Sequence, residues 1–262
     1  MKRFVALAFL IAVFSQAFAQ ESNNYPFQDG EKMHFVLNYT WGGVITDVGD
    51  ATCTLTYSNG GYNVLVTGKT FKFFDMFFKV RERFESRFTE KSLRPVRFYR
   101  EAAEGKYRMK NTLKFNQNYT INSSTQKYDR VPYDTILKGT ANTMDMLTLL
   151  FRSRTLSFDD SQIGKKVPLE FAIDKEIYNI YFIYLGKENK KIQGLGTFRT
   201  MKFAVKVVAG NVFDGREDMN MWITDDENKF PVFFESPVLV GRVQGRMTSI
   251  TNNKYPLTSK IK

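Results

Sequence analysis

The chain of 262 residues has little cysteine and little histidine: Cys53 and His34 are the only residues of each kind. A single cysteine excludes an intramolecular disulfide, so side-chain packing has to stabilise the fold. A single histidine provides no ligand set for zinc or another transition metal. We therefore expect no metal site and no cofactor.

The sequence also lacks the local motifs of common catalytic sites. It contains neither a serine nucleophile motif nor a glycine-rich phosphate loop. The acidic groups at residues 159–160 and 225–227 lack the alternating oxygen ligands of a calcium loop, and we interpret both as turns. Glu82 and Glu85 lie on opposite faces of a predicted strand, so they cannot form a glycosidase pair. We predict no catalytic residue and expect the protein not to be an enzyme.

The apolar stretch at residues 4–14 is about half of the roughly 20 residues that span a bilayer. It follows Lys2 and Arg3 and precedes the small-residue sequence Ala17-Phe18-Ala19. This order predicts a secretory signal peptide over residues 1–19 and a single β-rich domain over residues 20–262. We expect export to the periplasm or to the periplasmic face of the outer membrane. Because no cysteine follows the cleavage position, we expect no lipid anchor.

Positive charge exceeds negative charge, with 38 Lys and Arg residues against 27 Asp and Glu and a formal net charge of +11. The basic residues are spread through most of the predicted strands. Nucleic acid is not an expected partner of an exported protein. Two interpretations stay open: a solvated basic face without a specific partner, or a face that contacts an anionic membrane surface or polymer.

Period-two alternation dominates the chain. Residues 78–88 and 106–115 both alternate apolar and charged side chains, which is typical of an antiparallel sheet with a solvated outer face. Recurrent turn signals separate about ten or more such strands. We predict an all-β fold, in which a curved antiparallel sheet forms a half-open or closed barrel.

One segment has helical spacing instead. Apolar residues at positions 144, 147, 150 and 151 predict a short helix from about Thr143 to Arg154, with Asn142 as its N-cap. Its apolar stripe needs a cover, so we expect the helix to pack against the sheet or to plug one end of it.

Glu82 shares the apolar face of residues 78–88 with Phe84. A carboxylate on that face has to be paired, hydrogen-bonded or protonated, because an isolated buried charge costs several kcal/mol. Two interpretations are open: a structural Glu–Arg pair inside the sheet, or a polar group in a ligand cavity.

Aromatic residues are abundant, with 25 Phe and 13 Tyr. Residues 70–78 are especially rich in phenylalanine and include Phe74 and Phe77. They either pack into the core, which is the commoner outcome, or form an aromatic patch at the mouth of a cavity that contacts lipid. Together with Trp222 in the strand Met219–Thr224, we consider Phe74, Phe77, Glu82 and Phe84 candidate ligand-lining residues.

Several short sequences resemble an exported bacterial family known as domain of unknown function 3108. They are Gly30-Glu31, Leu93-Arg94-Pro95, Met144-Asp145-Met146-Leu147, Trp222-Ile223-Thr224-Asp225-Asp226, Phe230-Pro231-Val232 and Val240-Gly241-Arg242-Val243. In this order they cover nearly all of the predicted mature chain. The resemblance implies an exported Gram-negative protein with a curved antiparallel sheet. It implies no activity and provides no catalytic residue.

Three functional hypotheses follow. The first is a non-catalytic periplasmic protein that binds an apolar or amphipathic envelope molecule, such as a lipid, inside the curved sheet. The second is a scaffold or assembly factor of the envelope with a fully packed sheet. The third is an envelope carbohydrate-active enzyme, which requires two carboxylates facing a common cleft. A cavity large enough for an acyl chain distinguishes the first hypothesis from the second.

Overall fold

The alternating segments form strands in the computed structural model, which describes residues 24–206, 219–238 and 241–261. The strands are β1 (Lys32–Trp41), β2 (Val44–Ser58), β3 (Gly61–Thr70), β4 (Val80–Thr89), β5 (Pro95–Glu104), β6 (Tyr107–Phe115), β7 (Thr120–Lys127), β8 (Tyr133–Lys138), β9 (Thr143–Met144), β10 (Lys166–Ile173), β11 (Glu176–Ile192), β12 (Gly196–Val205), β13 (Met219–Thr224), β14 (Pro231–Pro237) and β15 (Arg242–Thr251). The helices are α1 (Lys72–Phe78) and α2 (Met146–Ser153), and a 3-10 turn covers Asp160–Gln162. The predicted signal peptide at residues 1–19 lies outside the described residues.

All fifteen strands belong to one curved sheet, in the order β8-β7-β6-β5-β4-β3-β2-β1-β15-β14-β13-β12-β11-β10-β9. Within the described ranges, β9 and β10 make the one parallel pairing, and the other neighbours are antiparallel. Strands β1 and β15 pair in the middle of the sheet, so the two ends of the domain meet there. The predicted all-β fold with a curved antiparallel sheet is confirmed, and the sheet is not closed.

Short turns produce this consecutive pairing. Between β2 and β3, Asn59 and Gly60 both have positive φ, at 49° and 68°. Two successive residues of this kind match the twist of the flanking strands, and Asn-Gly is the preferred pair for such a hairpin.

Helix α2 lies inside the curve of the sheet, because it contacts β4 and β10, which are far apart in the strand order. Leu147, Thr148 and Phe151 form its buried face. The helix begins later than predicted: residues 143–144 pair with β10, and Asp145 rather than Asn142 is the N-cap. The Asp145 carboxylate accepts hydrogen bonds from two backbone amides of the first turn, each at 2.9 Å.

Helix α1 was not predicted, since the sequence indicated one helix. The expectation that residues 70–78 pack into the core is wrong for this segment, because no residue of α1 is buried. Asp75 fixes the helix to its flanking strands: its carboxylate accepts a hydrogen bond from Thr70 at 2.5 Å and forms an ion pair with Arg81 at 2.5 Å. These polar contacts hold the segment at the end of the sheet, where Phe73, Phe77 and Phe78 are exposed.

At the end of the sheet opposite α1, the segment that precedes β1 covers the interior. Phe27 is buried and packs edge-on against Phe151 of α2, with 5.2 Å between ring centroids. Arg154 is also buried and makes a two-pronged ion pair with Glu31, at 2.5 and 2.9 Å. The Arg154 guanidinium donates further hydrogen bonds to the backbone carbonyl of Asn228. These side chains fill the interior at this end of the sheet. The remaining interior space lies toward the other end, where α1 lies.

Candidate functional site

The concave face of the sheet and α2 line an apolar cavity of about 490 Å³. Its lining residues include Met33, Phe35, Leu37, Val48, Cys53, Val66, Val80, Phe84, Leu147, Leu150, Met221, Phe234 and Val243. The space arises where small residues follow one another on adjacent strands, because Gly49, Ala51 and Gly68 contribute little or no side chain. Cavities of this size and apolar character hold small-molecule ligands in many proteins.

Glu82 is the one carboxyl group among the described residues that line this cavity. It lies on the inner face of β4, two residues before Phe84, as the alternation predicted. On the adjacent strands it is opposite Gly68 and Ala102, so no bulky neighbour covers it from either side. The cavity therefore has a carboxyl group beside a wall whose side chains are mainly apolar.

The nearest cation to Glu82 is Arg100, with 3.8 Å between Oε2 and Nε. Arg100 lies between two acids, because its Nη1 is also 3.7 Å from Oδ2 of Asp174. Both distances exceed a normal hydrogen bond, and the two carboxyl oxygens of Glu82 form none of normal geometry with a described residue. A Glu–Arg pair is thus present inside the sheet, but it leaves hydrogen-bonding capacity unused beside the cavity.

Burial raises the pKa of Glu82 to about 8, although the Arg100 charge acts to lower it. The neighbouring Glu104 carboxyl adds to the rise. Burial likewise raises the pKa of Asp174. Because removing a carboxylate from water disfavours its charged form, Glu82 holds its proton at neutral pH.

The curvature of the sheet brings Asp174 close to Arg100. Asp174 lies in the β10–β11 turn, which crosses the inner face of β6 and exchanges two hydrogen bonds of 3.2 Å with the side chain of Asn111. The sequence indicated a turn at residues 174–175, but the proximity of that turn to Arg100 depends on the fold.

Cys53 also lines the cavity. Burial raises the pKa of its thiol to about 12, so the sulfur is neutral and a poor nucleophile. It contributes apolar surface to the wall.

Six exposed apolar residues, here called the rim cluster, lie on two elements at the α1 end of the sheet. The rim cluster consists of Val44, Ile45, Phe73, Met76, Phe77 and Phe78, each more than half exposed. The first two lie at the tip of the β1–β2 hairpin and the others on α1, and a hydrogen bond of 3.0 Å from Phe71 N to Val48 O connects these two elements. Thr70 and Val80, which precede and follow α1, line the cavity. The rim cluster therefore borders the cavity without filling it.

Two of the five predicted ligand-lining residues line the cavity, namely Glu82 and Phe84. Phe74 and Phe77 instead lie on α1, outside the lining, where Phe74 is half-buried and Phe77 is exposed. Trp222 follows Met221 along β13, and since Met221 lines the cavity, the indole of Trp222 faces away from it.

Trp222 has a structural environment of its own. Its ring packs against Phe233 at 5.3 Å between centroids, and the Lys190 ammonium group lies 3.8 Å from the ring centroid. Its Nε1 donates a hydrogen bond to Glu188. Packing thus satisfies the Trp222 side chain without a ligand.

Arg100 and Gly68 were missed as site residues. Arg100 lies on the inner face of β5 between the buried residues Phe98 and Ala102, so alternation along this strand could have identified it. Gly68 carried no comparable signal, because the space beside a glycine depends on the strands that flank it.

A family model described as protein of unknown function, DUF3108, matches residues 34–248. The chain belongs to the DUF3108 family. The matched range includes both helices and every cavity-lining residue except Met33. No curated protein matches the chain.

Among solved structures, this DUF3108 protein is similar to a crystal structure from Brucella abortus, described as a beta-barrel-like protein of the family of unknown function DUF1849. The two chains are 10% identical and superpose with a TM-score of 0.56, over 86% of this chain and 98% of the other. At this identity the similarity shows the fold alone.

The described part of this DUF3108 protein contains no group of three His, Cys, Asp or Glu side chains arranged to hold a metal ion. It also contains no helix that is long and apolar enough to cross a membrane.

Proposed function

We propose that this DUF3108 protein is a non-catalytic binding protein for an apolar or amphipathic molecule, which occupies the cavity inside the curved sheet. The cavity of about 490 Å³ carries this proposal. Apolar walls favour a hydrocarbon portion of the ligand, because its burial removes apolar surface from water.

Glu82 supports an amphipathic rather than a purely apolar ligand. Its side chain lines the cavity, and its carboxyl oxygens are buried and lack hydrogen bonds of normal geometry to the described residues. A polar group of the ligand at this position, such as a hydroxyl, would satisfy them, and such pairing is worth more in a buried site than in water. The ligand would place its polar end near Glu82 and its apolar part toward Phe35, Leu150 and Phe234.

The predicted signal peptide supports an exported protein of the periplasm or of the periplasmic face of the outer membrane, and therefore a ligand from the cell envelope. An assembly factor with a fully packed interior is the alternative, and the cavity favours binding over it. A carbohydrate-cleaving enzyme would need a second carboxylate across a cleft, whereas Glu82 is the one carboxyl group of the described cavity lining.

Filling the cavity tests this proposal. A Cβ atom added at Gly68 would meet its three nearest neighbours at 3.8 to 4.0 Å, which are ordinary contacts. The backbone therefore accepts a side chain at this position, and the ring of Gly68→Phe should extend into the cavity that Gly68 lines. Thr67→Phe is the matched control, because it adds the same ring to the exposed outer face of the same strand.

The proteins would be purified without detergent, and their organic-solvent extracts and native masses measured by mass spectrometry. We expect one amphipathic molecule per chain in the natural protein and in Thr67→Phe, and its loss from a folded Gly68→Phe. A natural protein that carries no such molecule and binds no added fluorescent fatty acid would overturn the proposal in favour of the assembly factor. Equal ligand content in both variants would also overturn it.

A further inference from the structure

The aromatic and aliphatic side chains of the rim cluster are not buried by the rest of the fold. Helix α1 has no buried residue, and Phe77 is 74% exposed. Phe73 contacts Phe74 and Phe77 at 5.2 and 5.5 Å between ring centroids, so the rings form one continuous apolar surface. Soluble monomers rarely expose such a surface unless it contacts a partner.

The exposed charges of the α1 segment itself have one sign, and the acid of the neighbouring β1–β2 hairpin, Asp47, is held in an ion pair with Arg246 at 2.9 Å. Lys72 and Lys79 are exposed at the two ends of the helix. The one acid of the helix, Asp75, is neutralised by its ion pair with Arg81, and the hydrogen bonds from Arg81 and Thr70 lower the pKa of Asp75 to about 2. The exposed surface of α1 therefore combines aromatic rings with flanking positive charge.

We propose that the rim cluster docks on the surface of an anionic phospholipid bilayer, with the rings of α1 in the headgroup region and Lys72 and Lys79 at the lipid phosphates. The binding of a peripheral protein to such a surface increases with the apolar area that it buries there and with its electrostatic attraction to anionic lipids.

Charge favours a bilayer over a second copy of the chain as the occupant. A symmetric dimer through the rim cluster would bring the Lys72 and Lys79 side chains of two copies together, and like charges in one interface are unfavourable. Anionic headgroups instead neutralise these lysines. The contact does not depend on what the cavity holds, but it would place the α1 end of the cavity against the membrane.

Flotation with vesicles of phosphatidylcholine, alone or with about one third phosphatidylglycerol, tests the docking surface. We expect binding to the anionic vesicles that weakens with added salt, and little binding to phosphatidylcholine alone. The double variant Phe73→Ser/Phe77→Ser should bind the anionic vesicles about tenfold or more weakly. Its control is Ile136→Ser, which removes a side chain of similar exposure, 68%, from the edge strand β8.

The lysines need a separate pair of variants. Lys72→Glu/Lys79→Glu should also reduce binding about tenfold or more, since each basic residue near an anionic surface contributes to binding. Lys114→Glu is the control, because Lys114 is also exposed but lies at the end of β6 that is distant from α1.

Insertion is distinguished from surface attraction by an environment-sensitive dye on Met76→Cys, with Ile136→Cys as control. Cys53 is buried and does not compete for the dye. We expect a blue shift at position 76 alone, and only with anionic vesicles. Vesicle binding that the rim variants leave unchanged would overturn the proposal. A blue shift that appears without vesicles as protein concentration rises, together with dimers in sedimentation, would overturn it in favour of a second copy.

These readouts are separate from the ligand measurement. Gly68→Phe should still bind vesicles, and Phe73→Ser/Phe77→Ser should still carry the cavity ligand. A failure of docking therefore leaves the proposed ligand binding to be decided by its own test.

Discussion

Replacing Glu82 with glutamine should remove most of one pH-dependent step in the stability of the protein. Glutamine has nearly the shape of a protonated glutamate but cannot titrate. The pKa of Glu82 is about 8 in the folded protein, against an ordinary value of 4.5. Because the folded protein binds this proton more tightly than the unfolded chain, the contribution of Glu82 to the free energy of unfolding is complete below about pH 4.5 and is lost as the pH rises to about 8.

The size of this step follows from the pKa difference. One pKa unit corresponds to about 1.4 kcal/mol, so the whole difference sets an upper limit of about 5 kcal/mol. The Glu82 side chain is 16% exposed. Solvent that reaches it screens part of the penalty, so we expect a step of about 2–3 kcal/mol. The variant should therefore equal the natural protein in stability at low pH and exceed it by about this amount above pH 8.

Urea unfolding at a series of pH values from about 5 to about 9 measures this step as the difference between the two proteins. Glu85→Gln is the matched control, because Glu85 lies on the outer face of the same strand in a solvated ion pair with Arg83. Stability curves of the natural protein and Glu82→Gln that stay parallel across the whole range would refute the reasoning. Arg100→Met provides a second check, since loss of its charge should move the step to higher pH.

Three further predictions concern buried residues around the cavity. Asp145→Ala removes the buried cap of α2 and should lower the free energy of unfolding by about 2–3 kcal/mol. Asp159→Ala removes a solvent-exposed cap and should have a smaller effect in the same urea titration. Arg154→Met leaves the buried carboxylate of Glu31 without its ion-pair partner and should lower the free energy of unfolding by about 3–5 kcal/mol. The double variant with Glu31→Leu should regain most of that loss, and a double variant no more stable than the single one would contradict this account. Cys53 should react with iodoacetamide about a hundredfold or more slowly in the folded protein than in urea, as measured by mass spectrometry, and equal rates would contradict its buried, neutral state.

The sequence predicted the two lining residues that lie on a strand with unambiguous alternation. In β4, charged residues occupy one face without interruption, so the inward direction of Glu82 and Phe84 could be determined locally. Trp222 and Phe77 could not be placed in this way. β13 carries apolar residues on both faces, and residues 70–78 contain so many phenylalanines that no period distinguishes inside from outside.

The start of α2 was predicted wrongly for a related reason. Asn142 and Asp145 are both good N-cap residues, and local propensity does not choose between them. Pairing of residues 143–144 with β10 decides the choice, because it holds these two residues extended and leaves Asp145 as the first residue whose side chain can reach the free amides of the helix.

By itself, the sequence determined the class of the protein: a curved antiparallel sheet with one face apolar and one face charged, crossed by an amphipathic helix, without a disulfide or a local catalytic motif. These properties are local, since they depend on side-chain period, turn residues and composition. Only the tertiary structure decided that the interior holds a cavity, that Arg100 and Asp174 meet beside Glu82, and that α1 stands exposed at the rim. Each of these depends on distances between strands that are far apart along the chain, which the curvature of the sheet sets and no short segment encodes.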